Sequence, residues 1–397
     1  MSMTITWFSN AISAGTGYGT QSKQAVHRLI GDGHNVAVSA NYGLQAMATT
    51  IDNVPHYPMG YTAYSDDVVA ANHRDWCKQH PDGTPLVVAL FDAWPLKHPS
   101  WDTLPVAIWT MIDHVPVPPA VLEFLAKPNV TPIAVTQFGL EQMQRAGLDE
   151  VLYVPMAIDS NVYQFTETWD TGSRVVTGAE LMGWGHAKAS DHFTVSMVNA
   201  NKGWPDRKAW GAQLLAMSIF MERHKDVRLY LHTESQGAHG GIQIDRLIDA
   251  VGLDRERVRV VNQYAYYRGL PNEAMAALYS ATDVLLSATM SEGFGLTPLE
   301  AQFCGCPVIV NDFSAQPELA GPDSWLTMGQ PFWDAPQQGW WQMPLVPSIV
   351  DALEQSYARG RGRSNANREW AMQYDADRVY TEYWRPALAR LDEIHAP

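Results

Sequence analysis

Short runs of apolar residues alternate with longer amphipathic stretches from one end of the chain to the other. Parallel strands joined by helical crossovers are buried on both faces, so they read as continuous hydrophobic runs, and this rhythm predicts an α/β protein. In the first half, strands are predicted at residues 4–8, 36–39, 86–91, 106–111, 133–136 and 151–154. In the second half they are predicted at 194–198, 228–232, 258–261, 284–287 and 307–310. Between them, Trp210, Leu214, Met217 and Met221 recur at helical spacing and predict one buried helix face.

The rhythm breaks at residues 165–191, where Thr171-Gly172-Ser173, Met182-Gly183-Trp184-Gly185 and Lys188-Ala189-Ser190 interrupt it with Gly and Ser. A linker is expected there, since one core seldom grows past about 250 to 300 residues and the chain has 397. The expected division is an N-terminal domain at 1–175, a C-terminal domain at 190–374, and a terminal segment at 375–397. A closing helix at 375–394 in that last segment is expected to pack back toward the N-terminal domain. Residues 329–347, dense in Trp, Gln, Gly and Pro, read as an irregular loop.

Charge narrows the partners. Lys and Arg total 27 against 42 Asp and Glu, a net charge of −15 that discourages non-specific attraction to nucleic acid or anionic lipid. Three cysteines, Cys77, Cys304 and Cys306, are too few for a disulfide framework and fit a reducing compartment, so cytoplasmic localisation is expected. The Cys304-Gly305-Cys306 spacing is shorter than a zinc knuckle and has no second pair, so no metal site is expected. No run of about 18 apolar residues predicts a membrane span.

Three strand-to-helix junctions carry candidate chemistry. Ser13-Ala14-Gly15-Thr16-Gly17-Tyr18-Gly19 follows the first strand, where glycines let a ligand approach backbone N–H groups; Gly17 is the candidate contact. The spacing departs from a dinucleotide fingerprint, and a plain turn capping a helix is the alternative. After the strand at 284–287, Glu292-Gly293-Phe294-Gly295-Leu296-Thr297-Pro298-Leu299-Glu300 opens a helix, with N–H groups of Phe294 to Thr297 aimed at a ligand. Both acids could equally serve as dipole partners of that helix. After the strand at 194–198, Lys202 and Lys208 flank the next helix start and would suit a diphosphate, a solvated turn being the alternative.

Together these segments resemble the retaining GT-B glycosyltransferases of family 4, the glycogen synthase and mannosyltransferase type, over almost the whole chain. The E-x7-E motif is matched by Glu292 and Glu300, and the family's basic pair is similar to Lys202 and Lys208, with Lys at 202 where Arg is usual. The resemblance implies two Rossmann-like domains whose parallel sheets face each other across a cleft. It implies a UDP- or GDP-sugar donor bound mainly by the second domain through Lys202, Lys208, Glu292, Gly293, Phe294, Gly295, Leu296, Thr297 and Glu300, with Gly17 contributing from the first domain. Glu300 would take the ribose hydroxyls, the two lysines the diphosphate, and Glu292 the transferred sugar. His114, in Asp113-His114-Val115-Pro116, would line the sugar site; a His capping a turn is the alternative. His114, Glu292 and Lys208 are the catalytic candidates. No metal and no cofactor is implied, the donor being a substrate.

One segment departs from the family. After the strand at 228–232 the chain reads Thr233-Glu234-Ser235-Gln236-Gly237 where Gly-x-Gly is common, so side chains are expected to intrude near the nucleotide. Because Glu292 lies in a loop, its replacement by Ala is expected to spare the fold. The acceptor stays open among a glycan, a protein, a small molecule and a modified nucleic-acid base, the last disfavoured by the charge. A catalytically silent relative that binds a sugar nucleotide or a partner is the alternative to an enzyme, and the oligomeric state is open.

Overall fold

The computed structural model describes residues 2–185 and 192–396, so Lys188-Ala189-Ser190 and the expected domain start at 190 lie outside the described residues. The chain forms two compact units. One contains the chain up to Ala157, Asp334–Gly339 and the chain from Ala376; the other contains Ile158–Trp333 and Trp340–Asp375.

In the first unit, strands β1 (Met3–Ser9), β2 (Asn35–Ala40), β3 (Thr49–Ile51), β4 (Val54–Tyr57), β5 (Thr84–Leu90), β6 (Val106–Thr110), β7 (Val130–Ala134) and β8 (Leu152–Tyr153) form one sheet. Its order is β3-β4-β2-β1-β5-β6-β7-β8. All six strands read from the sequence form; β3 and β4, only three and four residues long, escape the pattern because strands so short carry no continuous buried run. Only the β3–β4 pair is antiparallel. Helices α1 (Gly17–Gly31), α2 (Val69–Gln79), α3 (Pro119–Leu125) and α4 (Gln137–Arg145) connect the strands.

Tryptophans anchor this unit. Trp7 of β1 and Trp109 of β6 pack on Trp384 at centroid distances of 5.8 and 5.0 Å. Each buried indole N–H has an acceptor, Ser22 Oγ for Trp7 and the Val154 carbonyl for Trp109. The C-terminal segment belongs here through that contact and through the Thr84 hydroxyl, which donates to Asp392 at 2.5 Å.

The second unit begins with two short paired strands, β9 (Thr168–Asp170) and β10 (Val175–Thr177), and helix α5 (Gly178–Leu181). Its main sheet contains β11 (Phe193–Val198), β12 (Val227–His232), β13 (Val258–Val260), β14 (Val284–Ser287), β15 (Val308–Asn311) and β16 (Trp325–Thr327). The order is β13-β12-β11-β14-β15-β16, with every pair parallel. Helices α6 (Trp210–Arg223), α7 (Ile244–Ala250), α8 (Gln263–Arg268), α9 (Asn272–Ser280) and α10 (Leu296–Phe303) connect these strands. The face of α6 read from Trp210, Leu214, Met217 and Met221 is buried in the core with Val195, Leu229 and Leu286.

The stretch read as an irregular loop is ordered. Strands β17 (Gly329–Asp334) and β18 (Gly339–Pro344) pair as a hairpin, with Trp333 and Trp340 in edge contact at 5.0 Å. Four connecting residues leave room only for an antiparallel return. After it, α11 (Val346–Arg359) and α12 (Asn365–Ala371) complete the unit. The expected closing helix is α13 (Ala376–Val379), one π-helical turn at Tyr380–Trp384, and α14 (Arg385–His395). Among the described residues no helix is long and apolar enough to cross a membrane. The two sheets and their parallel order bear out the α/β, twin Rossmann-like fold.

Candidate functional site

In an open parallel sheet the loops leaving the carboxyl ends of the strands form the crevice where ligands bind. The second unit has a cluster of charged groups there. Leaving β14, the chain reaches Glu292, a carboxylate only 8% exposed. Lys208 Nζ lies 2.5 Å from its Oε1 and Arg207 Nη1 lies 3.3 Å from its Oε2. The Thr289 hydroxyl donates to Oε1 at 2.9 Å, and the Glu292 N–H donates to Ser314 Oγ. Burial alone would raise the Glu292 pKa, but Lys208 and Arg207 outweigh it and hold the carboxyl below its usual range. Burial draws the Lys208 pKa down, and Arg207 adds to that.

Two local devices aim these groups. Ala209, directly after Lys208, adopts a left-handed conformation at φ 52° as it enters α6, a strained state for a residue with a Cβ that surrounding packing must hold. Gly295 opens α10 at φ +119°, where an L side chain would be strained, and no side chain caps the first turn. The N–H groups of Leu296 and Thr297 are therefore left for another acceptor.

Glu300 sits half-buried on α10. Its Oε2 accepts from the Tyr279 hydroxyl at 3.0 Å, and the Tyr163 hydroxyl bonds the same carboxyl. Burial pushes its pKa up to about 7, against the pull of both hydroxyls. Neither tyrosine was singled out in the sequence; Tyr163 lies far upstream in the chain, and only the fold delivers it.

Lys202 does not join the Glu292 cluster. It forms a backbone bridge with His239, and its exposed side chain has no carboxylate within ion-pair distance among the described residues. Its charge still acts on Lys208. Arg207, adjacent to Lys208, makes the contact instead, donating also to the Ser291 carbonyl. The expected intrusion after β12 takes another form. Glu234 turns back into its own loop and accepts from the N–H groups of Gln236, Gly237 and Ala238 at 2.6 to 3.0 Å. Gln263 ties the same loop by accepting from Ser235 N–H and donating to the Thr233 carbonyl.

Gly17 and His114 belong to the first unit. Gly17 is the first residue of α1, whose N-cap Thr16 accepts from Gly19 N–H at 3.0 Å. His114, buried in the loop between β6 and α3, has Nδ1 2.6 Å from Asp113 Oδ1 and Nε2 3.1 Å from Asp334 Oδ2. A Cβ at Gly339 would meet His114 Cβ at 2.8 Å, so the imidazole is packed where only glycine fits. Among the described residues no three His, Cys, Asp or Glu side chains gather as metal ligands.

Comparison with known proteins gives a consistent picture. The sequence model of the family described as glycosyl transferases group 1 matches residues 256–328, a segment that includes Glu292 and Glu300. A D-inositol 3-phosphate glycosyltransferase of Segniliparus rotundus is 30% identical over 183 residues, 44% of this chain. That match spans 36% of the relative's length. Among solved structures, sucrose-phosphate synthase from Thermosynechococcus elongatus has a TM-score of 0.70 at 15% identity, covering 97% of this chain and 99% of that one. HepE of Anabaena, solved with UDP and glucose, has a TM-score of 0.67 at 14% identity, covering 98% and 99%. The resemblance to GT-B glycosyltransferases read from the E-x7-E segment is borne out, and the fold is theirs.

Proposed function

We propose that this chain is a retaining glycosyltransferase that moves a sugar from a UDP- or GDP-sugar to an acceptor hydroxyl. The observation that carries the reading is the Glu292–Lys208–Arg207 cluster at the carboxyl edge of the second sheet, beside the uncapped first turn of α10. Cations and N–H dipoles at one point suit the diphosphate of a leaving nucleotide, and the matched family segment supports that assignment.

In this reading the bond from the anomeric carbon to the diphosphate oxygen breaks as the acceptor oxygen bonds to the same carbon. The acceptor's proton passes to the departing phosphate on that face. Lys208, Arg207 and the α10 N–H groups stabilise the negative charge that develops there, the usual largest contribution to catalysis. Glu292, fixed by two cations and Thr289, faces the transferred sugar, and Glu300 takes the ribose hydroxyls. Lys202, exposed and without a carboxylate partner among the described residues, adds long-range positive charge. No metal is needed where cations of the chain supply this stabilisation.

The test is thermal unfolding of the chain against UDP, GDP, ADP, TDP and their common sugars. A ligand at 100 times its dissociation constant stabilises by about 2.7 kcal/mol, a readable shift. A selective response to one nucleotide, lost in Glu300→Ala, is expected. Silence across the panel from a folded sample would overturn the donor assignment.

A further inference from the structure

Away from the Glu292 cluster, the second unit has an open cavity of about 330 Å³ lined by Gln164, Phe165, Cys304, Arg363, Asn365 and Arg368. It lies at the C-terminal end of α10, whereas Glu292 precedes the first turn of that helix. Eight helical residues separate the two ends by about 12 Å along the axis.

Two guanidiniums line this cavity. The Arg363 guanidinium lies 4.3 Å over the Phe165 ring, a cation–π contact that holds it at the cavity. Arg368 donates through Nη1 to the Phe303 carbonyl, which anchors it at the end of α10. Among the described residues neither has a carboxylate within ion-pair distance, while nearby Arg359 and Arg361 are held by Asp323 and Asp226. Two guanidiniums without a carboxylate partner among the described residues share one cavity, and together they point to an outside anion. The planar fork of Arg matches phosphate oxygens, the cavity is of small-molecule size, and Asn365 adds a neutral hydrogen-bonding group.

We propose that this cavity is a second anion site, separate from the Glu292 cluster, and that it takes the dianion of a phosphate monoester. The inference does not depend on the transferase reading.

Isothermal titration of the full chain with inorganic phosphate and with glycerol 3-phosphate tests it. Arg246→Ala, which removes an exposed arginine of α7 outside both sites, is expected to bind both as the unmodified chain does. Arg363→Ala, at an exposed position, is expected to weaken both at least about tenfold, since a hydrogen bond to a charged group contributes about 1.5 to 3 kcal/mol. Unchanged titration in a folded Arg363→Ala chain, or binding lost in Lys208→Ala and kept in Arg363→Ala, would overturn the proposal. Flotation with phosphatidylcholine vesicles containing phosphatidic acid separates the sources. Recruitment to those vesicles without saturable binding of either soluble phosphate would also overturn it.

Discussion

His114 Nε2 lies 3.1 Å from Asp334 Oδ2, although 220 residues separate the two in sequence. Asp113 holds the other ring nitrogen at 2.6 Å, so both nitrogens face carboxylates, an arrangement that a doubly protonated ring satisfies best. Burial alone would lower the His114 pKa, but the hydrogen bonds and charges of Asp113 and Asp334 outweigh it and hold it above the ordinary value.

A raised histidine pKa contributes stability that is complete below the unfolded value and is lost as pH rises through the folded one. The unfolded value is about 6.5, so the loss lies above that pH. Asp334→Asn is therefore expected to lower the melting temperature strongly at pH 6 and much less at pH 9. Calorimetric scans of both chains across that range check this; a pH-independent difference would remove the imidazolium from the account.

Glu292 is buried against two cations, so the sequence-based expectation that its replacement spares the fold needs correction. Glu292→Ala leaves Lys208 and Arg207 facing each other without their anion, and breaking such a buried pair costs about 3 to 5 kcal/mol. Glu292→Gln keeps the shape and is the better probe of chemistry: transfer should fall at least about a hundredfold, the scale of losing one electrostatic contact at a reacting centre. Denaturant unfolding beside a product assay separates the two effects.

Glu300 titrates near neutrality, its pKa raised to about 7. Raised from its unfolded value, it contributes stability present below about pH 4.5 and lost as pH climbs through about 7. If Glu300 takes the ribose hydroxyls of the donor as proposed, binding needs its carboxylate, and nucleotide affinity is expected to rise over the same interval. Titration calorimetry from pH 5.5 to 8.5 should show that rise in the unmodified chain and none in Glu300→Gln.

Tyr279→Phe removes a hydroxyl that donates to Glu300 at 3.0 Å and favours its charged form. The pH midpoint of nucleotide binding is expected to move upward in this variant. A midpoint that stays put would mean that the Tyr279 hydrogen bond does not set the Glu300 titration, leaving burial and Tyr163.

If the chain's own cations carry the leaving phosphate, transfer measured with and without EDTA should agree. Activity lost to the chelator and restored by a divalent ion would contradict the metal-independent scheme.

Sequence alone determined the α/β class, eleven of the strands, the buried face of α6 and the E-x7-E segment. Each is a local signal: a hydrophobic run, a helical period, a glycine at a strand-to-helix turn. It misread residues 329–347, because a hairpin rich in Trp and Gly alternates burial too weakly for its period to register. Tertiary structure decided the partners. Arg207 rather than Lys202 meets Glu292, Tyr163 and Tyr279 converge on Glu300, Glu234 folds into its own loop, and Asp334 reaches His114. Those contacts depend on where strand order and crossover helices deliver side chains distant in sequence, and no periodicity along the chain encodes that distance.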